Sequence, residues 1–228
     1  MMIKTKEEIE KLKYASKLTD EGFEYICKEI KPGMTEKEIA KKLDDYMFSI
    51  GATGLAFDTI VGSGENSSQI HSTPSDRIIQ ENDIILLDFG YVINGYCSDM
   101  SRTVFVGSAT NKQKEFYDLV YRTQMNAINN IKVGMTAKDA DLLGRQLILD
   151  YGLDYAHALG HGIGTVVHEE LVLSPKRDTI LEENMVFTIE PGIYLENEFG
   201  IRIEDVVLLT NNGVIPLANA PKDIIIIK

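Results

Sequence analysis

The sequence predicts an α+β fold of two pseudo-symmetric helix-helix-hairpin halves, whose antiparallel strands meet in one curved sheet with the helices on its outer face. Three observations predict it. The chain of 228 residues resembles itself at an offset of about one hundred residues. Each copy holds two helical stretches, the first marked by an apolar stripe, and each closes on a hairpin that carries two acids.

The first helix is opened by Thr5 and Glu8, and Ile9, Leu12, Ala15, Phe23, Ile26 and Ile30 trace its apolar stripe. The run Ile30-Lys31-Pro32-Gly33-Met34-Thr35 then turns the chain into a second helix. There Thr35 and Glu38 have capping-box spacing, in which the hydroxyl accepts from the N3 amide and the carboxylate reaches back. A Gly- and Ser-rich loop is expected over Gly62 to Gln69, ahead of His71. In the following hairpin Asn94-Gly95 favours a two-residue type I′ turn, which sets Ile93 opposite Tyr96 and Gly90 opposite Asp99. Asp88 then shares a face with Asp99 as a diagonal neighbour, roughly 7 to 8 Å away at the backbone.

The second copy repeats this plan. Phe116, Leu119, Val120, Ala127, Ile128 and Ile131 form its first stripe, Ile131 to Thr136 matches Ile30 to Thr35, and Gly152 matches Gly51. Thr136 with Asp139 is a weaker capping pair. Glu183-Asn184 matches Glu81-Asn82, Val186 to Ile189 matches Ile84 to Leu87, and Glu190 falls on Asp88. Gly95 stands four residues before Asp99 as Gly200 stands four before Glu204. Pro191 and the longer turn from Glu196 to Gly200 leave this hairpin's register open, because a bulge would flip its parity. Ile224 to Ile227 reads as a buried strand. Pairing the copies about a pseudo-twofold axis brings the four acids to the junction.

Composition narrows the function. A hydrophobic content of 44% is enough for a sizeable core. A net charge of −12 argues against nucleic acid and anionic membranes, both of which call for basic patches. The two cysteines, Cys27 and Cys97, are too few for a disulfide framework, and the charged N-terminus lacks the apolar core of a signal peptide. A cytoplasmic protein with reduced thiols is expected.

Asp88, Asp99, Glu190 and Glu204 would repel one another if crowded into a dry site. Two divalent cations remove that conflict, and four acids with one histidine form an oxygen-rich set suited to Mn2+, Co2+, Fe2+ or Zn2+. Paired metals lower the pKa of a shared water and polarise a carbonyl, which is the chemistry of amide or ester hydrolysis.

The ordered motifs Asp88-Phe89-Gly90, Gly95 to Thr103, Gly160-His161-Gly162-Ile163-Gly164, Val167-His168-Glu169, Thr188 to Gly192 and Gly200 to Asp205 resemble the pita-bread metallopeptidases over nearly the whole chain. Within them the chain looks most like the catalytic domain of the Xaa-Pro peptidases, proline dipeptidase and aminopeptidase P. Gly-Ile-Arg-Ile-Glu-Asp around Glu204, and His157 four residues before His161, favour that branch over methionine aminopeptidase. The resemblance implies one catalytic domain over residues 1–228, with repeats at approximately 5–106 and 110–210, and two divalent ions, Mn2+ first. It implies that Asp88 binds one ion, that Asp99 and Glu204 bridge both, and that His161 and Glu190 complete the other. Glu190 would also shuttle a proton, His71 and His168 would stabilise the tetrahedral intermediate, and His157 and Arg202 would contact a small peptide with proline at its second position.

Arg102 is expected to pair with a ligand carboxylate or its neighbours, and the glycines around His161 to let backbone approach the site. Two departures from the resembling enzymes stand out. Their N-terminal domain, which bears on substrate length and on a homodimer, has no counterpart in this sequence. Glu169-Glu170-Leu171-Val172 after His168 lacks the proline often found there, and Thr165-Val166 also departs from the pattern. The competing readings are a methionine aminopeptidase-like enzyme, a catalytically silent binding module, and creatinase-like hydrolysis without metal; the intact ligand set argues against the last two.

Overall fold

The computed structural model describes residues 2–228. Helix α1 (Lys6–Glu29) begins at Thr5, whose side chain accepts from the Glu8 amide while Glu8 answers the Thr5 amide. The same reciprocal cap on Thr35 and Glu38 starts α2 (Glu36–Ile50). Both remove orphan N–H groups at the first turn. All six stripe residues named for α1 are buried. The chain then runs through β1 (Gly54–Leu55), β2 (Ile60–Ser63), a 3-10 turn (Gly64–Ser68), β3 (Ile84–Phe89), β4 (Tyr91–Ile93), β5 (Tyr96–Cys97) and β6 (Met100–Val106). The stretch expected as a loop over Gly62 to Gln69 is therefore the end of a strand followed by a short helix. β2 takes its order from β3, with Ile60 opposite Asp88, a pairing between distant segments that local residue composition does not signal.

The second helix pair is α3 (Asn111–Asn130), capped reciprocally by Thr110 and Gln113, and α4 (Ala137–Asp150), where Thr136 accepts from the Asp139 amide. Then come β7 (Gly160–His161), β8 (Val172–Leu173), β9 (Val186–Ile189), β10 (Gly192–Leu195), β11 (Phe199–Arg202), β12 (Glu204–Thr210), β13 (Gly213–Pro216) and β14 (Ile226–Ile227). Of the tail expected as a buried strand over Ile224 to Ile227, only Ile226–Ile227 is strand (β14, parallel beside β6) and only Ile227 is buried.

One sheet in the order β13-β12-β6-β3-β2 joins the two hairpins, with β9 also on β12. The seam is β6 against β12, where Ser101 faces Glu204 and Met100 faces Asp205. Because strand side chains alternate, each strand sends one set to the helices and the other to the opposite face. Ile85, Leu87 and Phe89 of β3 pack with Phe23, Ile26, Ile39 and Leu43 of α1 and α2. Phe187 and Ile189 of β9 and Val207 and Leu209 of β12 pack with Ala127, Ile128 and Ala140 of α3 and α4. Asp88, Glu190 and Glu204 fall on the alternate positions, so the helix-covered face stays apolar and the other collects the acids.

Register sets the spacing of those acids. In the first hairpin Ile93 pairs with Tyr96 and Phe89 with Met100, so the register expected from Asn94-Gly95 runs unbroken through both ladders. Asn94 and Gly95 have φ of 51° and 79°, as a type I′ turn requires. In the second hairpin Gly192 pairs with Arg202, Leu195 with Phe199, and Ile189 with Asp205. The two ladders keep one register, so no bulge intervenes. Continuing it sets Glu190 directly opposite Glu204, whereas Asp88 and Asp99 are diagonal.

Candidate active site

Asp88, Asp99, His161, Glu190 and Glu204 line one cavity of about 330 Å³, together with His71 and His168. Five of those seven residues, namely His71, Asp88, His161, His168 and Glu190, also border an adjoining space of about 340 Å³, whose far side holds His157 and Arg202. Every residue singled out for chemistry in the sequence thus lies on one or both spaces.

Asp88 comes from β3, Glu190 follows β9, and Glu204 opens β12 at the seam. His161 enters sideways on β7, and Gly160 makes this approach possible: a Cβ there would lie 1.8 Å from the Thr188 carbonyl oxygen. Close contact of β7 with β9 puts His161 Nε2 at 3.3 Å from Glu190 Oε1 and 3.5 Å from Asp99 Oδ2. The His161 and His168 rings meet edge-to-face with centroids 4.3 Å apart.

The cavity suits a divalent cation. One donor atom each from Asp99, His161 and Glu204 lies within 4.8 Å of the others. Asp88 Oδ1 is buried without a hydrogen-bond partner among the described residues. Burial drives the Asp99 carboxyl up to about 6 and that of Glu190 to about 7. Burial and the neighbouring acids raise Glu204 well above the usual carboxylate range. Burial opposes charge on His161, but Asp99 and Glu190 outweigh it and lift the imidazole to about 9. A cation replaces these unfavourable proton-sharing arrangements with ligation.

That balance has a measurable sign. In chelator-treated protein, Asp99 and Glu190 hold protons in the folded state that the unfolded chain releases near pH 4. The folded form therefore binds more protons between about pH 4 and 7, and its stability should fall as pH rises through that window. Metal-loaded protein should show the opposite slope, because ligation requires deprotonated acids. Thermal melts with and without chelator from pH 4.5 to 7.5 read the difference directly; parallel curves would refute it.

Thr188, Ser101 and Tyr194, to which the sequence assigned no role, complete the site. Thr188 Oγ1 donates to Glu190 Oε1 at 3.0 Å and accepts from the His161 amide at 3.0 Å. Ser101 Oγ donates to Glu204 Oε2 at 2.6 Å. Tyr194 Oη accepts from Arg202 Nη1 at 2.8 Å and lies 2.8 Å from His157 Nε2. The signal was the period of two: Thr188 precedes Glu190 by two residues, and Ser101 follows Asp99 by two. Arg202 is only 2% exposed, and its remaining nitrogens meet Asp88 Oδ2 at 2.6 Å and Ser101 Oγ at 2.9 Å. Burial keeps His157 neutral by lowering it to about 4. Arg102 turns to the helix side of the sheet and pairs with Asp205, the neighbour of Glu204. Cys97 is packed in an apolar cluster, and burial raises its thiol to about 11.

Residues 10–211 match the model of metallopeptidase family M24. The Xaa-Pro dipeptidase of Pyrococcus furiosus is 42% identical over 98% of this chain and 65% of its own length. An uncharacterized peptidase of Bacillus subtilis is 44% identical over 99% of the chain and 65% of its own. Among solved structures, an X-Pro aminopeptidase from Thermotoga maritima superposes with a TM-score of 0.96 at 42% identity, covering 99% of this chain and 64% of that one. This chain therefore spans about two thirds of the length of the relatives it matches, and its fold is the pita-bread fold they share. Membership of this family implies divalent metal ions, and the donor atoms of Asp99, His161 and Glu204 are close enough together to hold one. The chain belongs to metallopeptidase family M24.

Proposed function

We propose that the chain hydrolyses the bond between an N-terminal residue and proline, as an Xaa-Pro dipeptidase or aminopeptidase, using two divalent ions of which Mn2+ is the first choice. The observation that carries this reading is the position of the acidic cluster between two adjoining cavities, which share His71, Asp88, His161, His168 and Glu190. A short peptide lying across both would have its scissile bond at the cluster.

Asp88 would hold one ion, Asp99 and Glu204 both, and His161 and Glu190 the other. The ions would supply Lewis acidity toward the scissile carbonyl and an acidified water. Glu190, within reach of that water, would pass a proton from it to the departing amine. Thr188 fixes its orientation by the hydrogen bond to Oε1. Burial lowers His168, so its neutral ring can donate an N–H to the developing oxyanion. His71 lines the same cavity for the same task. His157 and Arg202 border the second space, where they would contact the substrate's far end.

The relatives named for Xaa-Pro cleavage support this specificity. A cytoplasmic setting fits Cys27 and Cys97, which form no disulfide. Among the described residues no helix is long and apolar enough to cross a membrane. The test is a peptide panel on Mn2+-reconstituted chain. Xaa-Pro dipeptides or Xaa-Pro-Yaa tripeptides should exceed Met-Ala peptides in kcat/KM by about a hundredfold, the scale of discrimination a shaped pocket can supply. Preference for Met-Ala would transfer the chain to the methionine aminopeptidase type. No cleavage of any peptide with both ions bound would leave a binding module.

A further inference from the structure

His71 stands on a span that crosses from the 3-10 turn after β2 to the return segment at Ser75, and the residue is exposed. What fixes both ends of that span is the carboxylate of Glu36, the first residue of α2, which is 0% exposed. Its Oε1 accepts from the Ser63 amide at 2.7 Å, Ser63 Oγ at 2.6 Å and Asn66 Nδ2 at 3.1 Å. Its Oε2 accepts from the Ser75 amide at 2.9 Å and Ser75 Oγ at 2.6 Å. Burial alone would raise this carboxyl; the donors from Ser63 and Ser75 outweigh it and hold it below the usual range. Beyond Asn66, the turn is locked to β11, where the Gly200 amide donates to Ser67 Oγ at 2.9 Å.

The other helix pair shows what the carboxylate adds. At the start of α4 the matching residue is Ala137, and the return segment docks there through the same backbone pattern. Ala137 N donates to Thr179 O and Lys138 N to Arg177 O, as Glu36 N donates to Arg77 O and Lys37 N to Ser75 O. Bridges Thr35 to Ile78 and Thr136 to Ile180 are also equivalent. Backbone alone therefore suffices to dock the return segment. Both carboxylate oxygens serve the segments on either side of His71, and they occur only in the half that carries it.

We infer that Glu36 is a positioning residue for the reaction: it holds the two ends of the span between Asn66 and Ser75 and thereby places His71 over the cavity. This rests on the proposed role of His71 in hydrolysis. Glu36→Gln keeps the volume but replaces one acceptor with an NH2 that cannot receive the Ser63 or Ser75 donors. Loosening a group by about 1 Å costs on the order of tenfold to a hundredfold in rate.

The experiment is a double-mutant cycle of Glu36→Gln with His71→Ala on the metal-loaded chain, read as kcat and KM on an Xaa-Pro dipeptide, with hydrogen exchange on the same proteins. The expected result is a drop in kcat of about tenfold or more for Glu36→Gln at unchanged metal content, and less than about a twofold further effect on the His71→Ala background. Exchange should quicken across residues 63–77 and stay unchanged across 165–181. Equal losses on both backgrounds, or unchanged exchange at 63–77, would overturn the assignment while leaving the catalytic reading intact. A fully active His71→Ala would instead overturn the role of His71 and this inference with it, with the exchange data still showing whether Glu36 holds the span.

Discussion

Asp99→Ala should lose at least one metal ion and about a thousandfold or more of kcat/KM, the cost of removing several kcal/mol of charge stabilisation, while the fold survives. Asp99 is 5% exposed beside the seam and shares the donor cluster with His161 and Glu204. It belongs to none of the four apolar clusters that bind helices to sheet. Burial already strains its ionised form, so the metal-free variant should melt within a few degrees of the metal-free parent, or above it. Elemental analysis and melting curves on the same samples check both halves of the expectation. Two tightly bound ions in the variant would remove Asp99 from the site.

Arg102→Ala should cost about 3 to 5 kcal/mol of stability, the price of leaving a buried acid without its partner. Arg102 is 1% exposed on the helix side of β6. It donates to Asp205 Oδ1 at 2.6 Å and to the carbonyls of Ser101, Glu204, Ala220 and Pro221. One side chain thus ties β6 to β12 and to the segment leading into β14. Burial would raise Asp205, but Arg102 and Lys222 hold it below its usual value. Its stabilisation is present above the unfolded carboxyl value and is lost as pH falls through the folded one. For a chain of this length the melting temperature should drop by roughly 10 °C, and Arg102→Lys should recover little, because an ammonium cannot reproduce the planar fork. The exposed pair of Lys112 and Glu198 provides the contrast: Lys112→Ala should change stability by about 1 kcal/mol or less. Denaturant titration at pH 7 separates the two.

Much of this architecture was legible in sequence because it rests on local rules. Caps at Thr5 and Thr35, the apolar stripes of α1 and α3, and the Asn94-Gly95 turn are each decided within a few residues. That turn alone carried the register from Ile93 to Phe89 and so the diagonal placement of Asp88 and Asp99. The rest was decided at a distance. β1, β2, β7 and β8 are short runs that exist because a partner strand supplies their hydrogen bonds. The parity of the second hairpin was open until the pairing of Leu195 with Phe199 showed a three-residue loop. Thr188 and Ser101 were within reach of the strand period, whereas the five hydrogen bonds to Glu36 join residues 27 to 39 positions apart. In sequence Glu36 was only an acid at a helix start.

A two-ion hydrolytic centre is proposed at the seam of β6 and β12. Anomalous diffraction from crystals of the Mn2+-loaded chain tests it most directly. Two peaks per chain are expected, both inside the cavity bounded by Asp88, Asp99, His161, Glu190 and Glu204. One peak there, none, or ions held elsewhere while Xaa-Pro peptides are cleaved would contradict it.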